Sequence, residues 1–199
     1  MIEFLNISKQ EPYNIFIGLY KNALSVGQKS IEAIAISSFN HKDSEVESRF
    51  VNLKYISGDE WIFFSNYNSN KAKNFFEHDQ ISALIYWNET DTQIRLKAKI
   101  KKTSQQFSDN HFNKRSFKKN ALAASSDQSN KIETYEEVLK NYHQLLSKKS
   151  SSLKRPSFWG GFSFCPYYFE FWEGNKNRVN KRTVYESIKN NWHKYYLQP

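Results

Sequence analysis

The segment Phe158–Trp172 constrains the fold most, because nine of its fifteen residues are aromatic. So many rings cannot all face water, and the alternation of a β-strand would bury about half of them in a barrel core. The adjacent Gly160 and Gly161 interrupt the run, which in a strand indicates a bulge or a close backbone approach. We therefore predict two strands here, at 158–164 and 168–172, inside a β-rich protein.

Strand patterns with a few helices between them fill the rest of the 199-residue chain, a length that suits a single domain over 1–199. The clearest strand is Ile94–Ile100, where apolar and polar residues alternate. Further strands are predicted at 31–38, 49–56, 61–64, 81–87, 182–188 and 192–197. Helices are predicted from Pro12 to Gly27, from Ser69 to Phe76, in pieces within 103–131, and over 133–146, with a Ser/Lys loop at 148–155. This order predicts a mainly β fold, an antiparallel barrel with α additions.

Composition excludes several classes of protein. No run approaches 18 apolar residues, so we predict no membrane partner. The single cysteine, Cys165, excludes an internal disulfide and any multi-cysteine metal site, and the five histidines are scattered, so we expect no metal. The first residues lack a basic stretch followed by an apolar one, so we expect a cytoplasmic protein.

The net charge of +9 is unevenly distributed, at −4 over residues 1–94 and +13 over residues 95–199. Together with 17% aromatic residues, it first suggests a nucleic-acid partner. The alternative is a lysine-rich solvated surface, because 23 of the 29 basic residues are lysines. The six arginines are more informative, since arginine recognises phosphate or carboxylate with two parallel hydrogen bonds.

A possible phosphate site lies in the first half of the chain. The string Ser48–Lys54 (SRFVNLK) is followed by Phe64-Ser65-Asn66 and by Ser69-Asn70-Lys71. A strand that presents Arg and Lys ahead of a helix N-terminus supplies both charge and free N–H groups to a phosphate. The alternative reading is ordinary charge at a strand edge.

A second candidate site follows the aromatic run. Arg178 and Arg182 stand four residues apart beyond Trp172. This grouping suits a flat, anionic ligand, whereas the alternative is that the aromatic residues here serve only the core.

These motifs carry a family resemblance. The strings RPSFWGGF and EFWEG, followed by R-x-x-x-R, resemble the C-terminal signature of the pyridoxine (pyridoxamine) 5'-phosphate oxidase family. The strings SRFVNLK, FFSN and SNKA resemble the FMN-binding half of that family. The resemblance runs from about Pro12 to Pro199 and implies an FMN-binding split β-barrel. It also implies that residues 158–199 form dimerisation strands and that FMN lies between the subunits of a homodimer.

On the cofactor side, the resemblance implies that Arg49, Ser65 and Lys71 bind the FMN phosphate and that Val51 and its neighbours line the isoalloxazine. The cofactor-binding set implied in this way is Arg49, Phe50, Val51, Asn52, Lys54, Phe64, Ser65, Asn70, Lys71, Gln93, Gln128, Ser129, Trp172 and Arg182. Part of this set would come from the second subunit.

On the substrate side, the resemblance implies a small anionic aromatic substrate bound by Lys54, His111, Arg115, Lys119 and Arg178. Arg178 and Asn180 occupy the positions of the family's catalytic arginine and histidine. The implied reaction is hydride transfer from a carbon that bears an amine or hydroxyl to N5 of FMN. Oxygen then reoxidises the flavin and yields hydrogen peroxide.

The chain departs from the family pattern mainly around the substrate. Asn70 replaces an arginine, His111 and Lys119 replace a tyrosine and a serine, and Asn180 replaces a histidine. Three functions therefore stay open. They are oxidation of pyridoxine or pyridoxamine 5'-phosphate, FMN-dependent oxidation of another anionic heterocycle as in phenazine biosynthesis, and a non-catalytic flavin- or nucleic-acid-binding module. The arrangement of cations makes nucleic acid the less favoured partner.

Overall fold

The computed structural model describes residues 1–147 and 153–199, which build one ten-stranded, mainly antiparallel sheet. The strands are β1 (Glu3–Leu5), β2 (Ala33–Asn40), β3 (Glu45–Asn52), β4 (Tyr55–Ser57), β5 (Glu60–Asn66), β6 (Gln80–Trp87), β7 (Thr92–Lys102), β8 (Trp159–Glu173), β9 (Lys181–Ile188) and β10 (Asn191–Leu197). Their order is β1-β4-β5-β8-β7-β6-β2-β3, and β9 pairs with β8 and with β10. Strands β1 and β4 run parallel.

Five helices connect or cover these strands: α1 (Glu11–Ser25), α2 (Asn70–Glu77), α3 (Gln105–Lys114), α4 (Phe117–Ser125) and α5 (Tyr135–Ser147). The prediction of a mainly β, antiparallel architecture with α additions is confirmed. Within the described residues, no helix is long and apolar enough to cross a membrane.

The aromatic run forms β8, the strand on which the sheet is organised. It pairs with β7 over nearly its whole length, while its other edge pairs first with β5 and then with β9. Phe162 and Phe164 in its first half and Phe169 and Phe171 in its second half are almost fully buried. Burial of side chains this large contributes roughly 2 kcal/mol each, so β8 makes a large contribution to core stability.

Helix α1 closes one end of this core. Pro12 stands in its first turn, where the missing backbone N–H costs nothing, and Phe16 and Tyr20 follow on the buried face. The Phe16 ring lies 4.4 Å from Trp61 of β5 and 5.8 Å from Trp87 of β6, measured between ring centroids. The helix therefore joins the two halves of the sheet through one aromatic cluster.

The glycine pair in β8 allows neighbouring side chains to approach the backbone closely. Close approach was one of the two alternatives predicted from the sequence, and a bulge was the other. A Cβ on Gly161 would lie 2.5 Å from Thr103 Oγ1, and one on Gly160 would collide with the Tyr67 hydroxyl. The bulge lies elsewhere, because Lys97 pairs with Tyr168 and Ala98 pairs with Pro166, which leaves Tyr167 as the extra residue. Since the strand continues through this bulge, the two strands predicted at 158–164 and 168–172 are one.

Two other predictions need correction, and one strand was missed. The strand predicted at 49–56 is two strands, β3 and β4, because the chain stops pairing with β2 after Asn52 and pairs with β5 from Tyr55. Ser69 precedes α2, but its hydroxyl donates to the Asn66 carbonyl instead of accepting a helix N–H. The short parallel strand β1 was not predicted. Of the predicted loop at 148–155, residues 148–152 lie outside the described residues.

The helix predicted at 133–146 is present as α5, two residues later at its start. Its predicted apolar stripe is not buried, because every residue of this helix is at least partly exposed to solvent. Its neighbour in the structure is α4. The apolar periodicity therefore predicted the helix correctly, but the apolar face of this helix is not part of the core.

Candidate cofactor and substrate cleft

A cleft of about 540 Å³ opens between the β3–β5 region and the helices α3 and α4. Its lining residues are Phe50, Val51, Asn52, Lys54, Phe64, Ser65, Lys71, His111, Lys114, Arg115, Ser116, Lys119, Gln128 and Trp159. Five of the fourteen are Lys or Arg and none is acidic, so the cleft suits an anionic ligand.

One end of the cleft is formed by the N-terminus of α2. Lys71 is only 8% exposed, and its ammonium donates to Ser69 Oγ at 3.2 Å. Burial lowers the pKa of Lys71 to about 8, and the nearby Arg49 guanidinium contributes to the lowering. No carboxylate of the described residues lies within salt-bridge distance of this ammonium. A buried, unneutralised ammonium at a helix N-terminus is a ready site for a phosphate.

Arg49 reaches this end from β3, and its guanidinium is held in place by its neighbours. It donates to Glu47 Oε2 at 2.6 Å, to Ser38 Oγ at 2.8 Å and to the Ile36 carbonyl at 3.3 Å. Asn74 of α2 also donates to Ser38 Oγ, at 3.2 Å. Arg49 thus has a fixed position between the sheet and α2, close to Lys71.

The segment after α4 closes over the same end. Ser65 Oγ donates to Gln128 Oε1 at 3.3 Å, and the backbone N–H of Asn70 donates to Ser129 Oγ at 3.4 Å. Asn66 Nδ2 donates to the Ser126 carbonyl. These contacts bring Gln128 and Ser129 to the rim of the α2 N-terminus from about 60 residues away in sequence.

The other end of the cleft holds a second group of cations. Arg115 follows α3, donates to the Lys119 carbonyl at 3.0 Å and lies with its guanidinium carbon 4.4 Å from the Trp159 ring centroid. Its NH1 nitrogen is buried and has no hydrogen-bond partner among the described residues. Burial lowers the pKa values of Arg115 and Lys54, the latter in spite of Glu32 at 3.9 Å. A buried guanidinium donor without an acceptor is costly, so this end also suits an anion.

His111 forms the aromatic wall beside these cations. Its ring stacks on Phe64 with centroids 3.7 Å apart and planes 10° apart, and Phe64 stacks in turn on Trp159 at 5.4 Å. The Nδ1 atom of His111 lies 2.8 Å from the Tyr55 hydroxyl. Burial and the nearby Arg115 and Lys54 lower the pKa of His111 to about 4, so the imidazole is neutral at pH 7.

Most of the residues predicted from the sequence converge on this cleft. Eleven of them line it, namely Phe50, Val51, Asn52, Lys54, Phe64, Ser65, Lys71, His111, Arg115, Lys119 and Gln128. Arg49, Asn70 and Ser129 lie around the α2 end, as described above. Lys114, Ser116 and Trp159 also line the cleft and were not predicted as site residues. Trp159 stands inside the quoted RPSFWGGF string, which is the signal that would have identified it.

The remaining predicted residues lie elsewhere. Gln93 on β7 pairs with Trp172 on β8, which pairs with Arg182 on β9. Arg178 and Asn180 belong to the loop before β9, where the Asn175 N–H donates to Asn180 Oδ1. Trp159 in the cleft and Trp172 are thirteen residues apart on the same strand, or roughly 40 Å at about 3.3 Å per residue. One chain therefore does not bring this second group to its own cleft.

Among the described residues, no group of three or more His, Cys, Asp or Glu side chains is arranged to hold a metal ion. Cys165 is half-buried, and burial raises the pKa of its thiol, which disfavours a reactive thiolate. The chemistry of this chain is therefore best sought in the cationic cleft.

Comparison with known proteins gives this cleft a context. Residues 159–199 match the family model described as the pyridoxine 5'-phosphate oxidase C-terminal dimerisation region. Among solved structures, the chain is similar to PhzG from Burkholderia lata, solved in complex with tetrahydrophenazine-1-carboxylic acid. The TM-score is 0.90 at 26% identity, over 95% of this chain and 93% of that one.

A second solved structure shares the fold at lower identity. It is a pyridoxamine 5'-phosphate oxidase-related, FMN-binding protein from Nostoc punctiforme, with a TM-score of 0.77 and 11% identity over 96% of this chain and 99% of that one. The sheet described above is therefore the split barrel of these FMN-binding proteins.

Curated relatives establish the family. The pyridoxine/pyridoxamine 5'-phosphate oxidase of Colwellia psychrerythraea is 32% identical over 96% of this chain and 88% of its own length. That of Cytophaga hutchinsonii is 34% identical over 82% of this chain and 77% of its own length. The chain thus belongs to the pyridoxine/pyridoxamine 5'-phosphate oxidase family, as the sequence motifs predicted.

Proposed function

We propose that this protein is an FMN-dependent oxidase whose substrate is a small anionic heterocycle. The observation that carries the proposal is the pair of unneutralised cationic positions at opposite ends of one cleft. These are the buried Lys71 ammonium and the orphaned NH1 of Arg115. Two anionic groups on one cofactor–substrate pair would satisfy both positions.

The α2 end fits the phosphate of FMN. Lys71, Arg49 and Ser65 would hold it, with Asn70 where the family has an arginine. Phe50, Val51 and Asn52 of β3, together with Gln128 and Ser129, would flank the flavin ring. When bound, FMN supplies two-electron acceptance from the substrate carbon and is regenerated by O₂ with peroxide as the product.

The α3 end fits the anionic group of the substrate. Arg115, Lys54 and Lys119 would bind it, and His111 would contact it from the aromatic wall. The side chains do no redox chemistry themselves. Their contribution is to hold the substrate's reacting carbon against the flavin and to exclude water from the space between them.

The second group of residues would complete the site from another copy of the chain. These residues are grouped around the far end of β8, too far from the cleft of their own chain to reach it: Gln93, Trp172, Arg178, Asn180 and Arg182. The family match to a dimerisation region over 159–199 covers four of these five residues and supports a homodimer. In this arrangement Trp172 and Arg182 would contact the flavin, and Arg178 and Asn180 would lie over the substrate ring.

Two substrate classes compete for the α3 end. Curated relatives are named as pyridoxine/pyridoxamine 5'-phosphate oxidases, and the retained Lys54, Arg115 and Arg178 favour that phosphorylated substrate. The similarity to PhzG and the departures at His111, Lys119 and Asn180 favour a carboxylated ring instead. A role in binding nucleic acid is the least supported, since the cations converge inside a cleft.

A flavin spectrum followed by a peroxide assay tests the proposal. We expect the purified protein to bind FMN, and peroxide to form with either pyridoxine or pyridoxamine 5'-phosphate or with a reduced phenazine carboxylate. Protein that stays colourless with added FMN would refute the cofactor and the oxidase together. FMN-loaded protein that yields no peroxide with the B6 phosphates would exclude that substrate class.

A matched pair of variants tests how the site is divided. Arg182→Ala should lower the FMN content, because that guanidinium is assigned to the flavin. Arg115→Ala should raise the KM for an anionic substrate about 10- to 100-fold and leave FMN bound, since a charge-assisted hydrogen bond contributes about 1.5–3 kcal/mol. An equal loss of FMN in both variants would show that this division is wrong.

A further inference from the structure

Tyr55 is a buried tyrosine that the proposed function does not use. It begins β4, is 6% exposed, and packs edge-on against Phe107 and His111 with ring centroids 5.3 and 5.4 Å away. Its hydroxyl lies 2.8 Å from His111 Nδ1, and no second partner for that hydroxyl is present among the described residues. The hydroxyl therefore acts on His111 alone.

The direction of this hydrogen bond follows from the chemistry of the two groups. A phenol is a stronger acid than a neutral imidazole N–H, so the phenol is the better donor and the bare imidazole nitrogen the better acceptor. Burial raises the pKa of Tyr55, which keeps the phenol protonated. If Nδ1 instead carried the proton, the phenol hydrogen would have no acceptor. A Tyr55 donor leaves the imidazole proton on Nε2.

The position of the His111 ring makes the Nε2 proton available to a ligand. His111 lines the main cleft and also a smaller cavity of about 110 Å³, which is lined by Tyr55, Leu5 and Lys114 among others. Because Tyr55 takes up Nδ1 on the side of the smaller cavity, Nε2 is the nitrogen left for a ligand. The stack on Phe64 restricts rotation of the ring out of this position.

We propose that Tyr55 is a positioning residue, whose hydroxyl donates to His111 Nδ1 and thereby presents Nε2–H as a neutral donor to the substrate's anionic group. His111 is then a specificity-determining contact that works by hydrogen bonding and carries no charge. The positive charge at this end comes from Lys54, Lys114 and Arg115, the charged groups around the ring. This inference rests on the proposed function only for the identity of the anion.

The first test reads the tautomer directly. In the ¹⁵N-labelled, FMN-loaded full-length protein, two-bond ¹H–¹⁵N correlations should show His111 as the Nε2–H tautomer. In Tyr55→Phe, which keeps the ring and its packing, the Nδ1 signal should move toward that of a histidine without a fixed tautomer. A wild-type signal from the Nδ1–H tautomer would overturn the proposal, and so would an unchanged signal in Tyr55→Phe.

The second test is a double-mutant cycle on substrate KM. Tyr55→Phe should raise KM about threefold to tenfold, as expected for one neutral hydrogen bond, with less effect on kcat. In a His111→Gln background, Tyr55→Phe should have no further effect, because its only partner is gone. An equal effect in both backgrounds would refute the positioning role. Tyr13→Phe, which removes a buried hydroxyl bound to the Asp59 carbonyl, is the control and should leave KM unchanged.

These tests separate this proposal from the function on which it rests. If no substrate is oxidised, the tautomer is still measurable, and inorganic phosphate serves as the anion probe. Phosphate should then shift the His111 Nε2 signal in the wild type and shift it less in Tyr55→Phe. Equal phosphate shifts in the two proteins would refute the role of Tyr55 without touching the assignment of FMN.

Discussion

The cations of the cleft and those at the far end of β8 differ in how their charge is balanced. Lys71, Lys114, Arg115 and Lys119 have no acidic partner within salt-bridge distance among the described residues. At the far end, by contrast, Glu170 is almost fully buried between Arg95 and Arg182, with N–O distances of 3.0 and 2.8 Å. Tyr168 also donates to Glu170, at 3.2 Å.

This difference separates charge that is already balanced within one chain from charge that has no partner until a ligand binds. The Glu170 cluster is complete within one chain, so its arginines are held in fixed positions on the sheet. Lys71 and Arg115 raise the energy of the free protein, because burial desolvates them at least in part and no carboxylate within salt-bridge distance compensates. A ligand that brings negative charge recovers this energy on binding, which is how the cleft would gain affinity.

The largest expected effect comes from mixing two defective chains. Lys71→Gln disables the cleft and Arg182→Ala disables the far-end cluster. If one site uses both regions from different copies, a heterodimer of these chains contains one intact site. At random mixing, about a quarter of wild-type activity should return, because about half of the dimers are heterodimers. The recovered activity is measured as peroxide production after the two variants are co-refolded or co-expressed.

The matched control mixes Lys71→Gln with Arg115→Ala, two defects in the same cleft. No heterodimer of these chains has an intact site, so activity should stay at the level of the single variants. Recovery in this control, or none in the first mixture, would show that the two regions do not combine across copies.

Lys71→Gln alone should weaken FMN binding about 30- to 100-fold. The substitution removes a buried charge-assisted contact to phosphate, and such contacts contribute about 2–3 kcal/mol. Fluorescence quenching of added FMN gives the Kd. Lys73→Gln, an exposed lysine in the same helix, is the control and should change the Kd less than twofold. A similar Kd in both variants would remove Lys71 from the phosphate site.

Glu170→Gln tests the balanced cluster. Removing the carboxylate should lower the free energy of unfolding by about 2 kcal/mol, below the 3–5 kcal/mol of fully buried pairs because the two arginines are partly exposed. Urea unfolding at pH 7 measures this change. Glu173→Gln breaks the exposed pair with Lys181 and should cost less than about 1 kcal/mol. Equal losses would mean that the burial of Glu170 contributes nothing.

The smallest expected effect is a pH dependence of FMN affinity. The pKa of Lys71 is about 8 in the free protein, and a bound phosphate raises it. FMN binding therefore takes up a proton above pH 8. Affinity should be nearly constant up to about pH 7, fall by about half at pH 8 and then fall by at most about tenfold per pH unit. Lys71→Gln should flatten this fall, and a wild-type Kd that is constant up to pH 9.5 would contradict the assignment.

Much of the fold was predictable because its signals are local. The alternation from Ile94 to Ile100 predicted the centre of β7, since a period of two needs no information from elsewhere in the chain. Strand β1 was missed because three residues carry little pattern, and its partner β4 lies about 50 residues away. In α5 the apolar period was present, but burial depends on what packs against the helix.

The candidate site was predictable as a set of residue types but not as an arrangement. The motifs identified Lys54, Lys71 and Arg115, whereas the lack of acidic partners at Lys71 and Arg115 follows from which side chains the fold brings near them. Lys114 was missed for the same reason, because it is one of many lysines in the sequence and only its position at the end of α3 places it at the cleft. Trp159 was not singled out within the aromatic run, and its proximity to Arg115 required the structure.

The bulge at Tyr167 has a consequence for how this protein can change over generations. Buried rings stand at even positions before it, at Phe162 and Phe164, and at odd positions after it, at Phe169 and Phe171. Deletion of this one codon would remove the bulge and leave Phe169 and Phe171 on the same face as Phe162 and Phe164, because Pro166 and Tyr168 already pair with the consecutive residues Ala98 and Lys97. Loss of Tyr167 should therefore be tolerated better than gain or loss of a residue elsewhere in β8, which would exchange the two faces of the strand beyond that point.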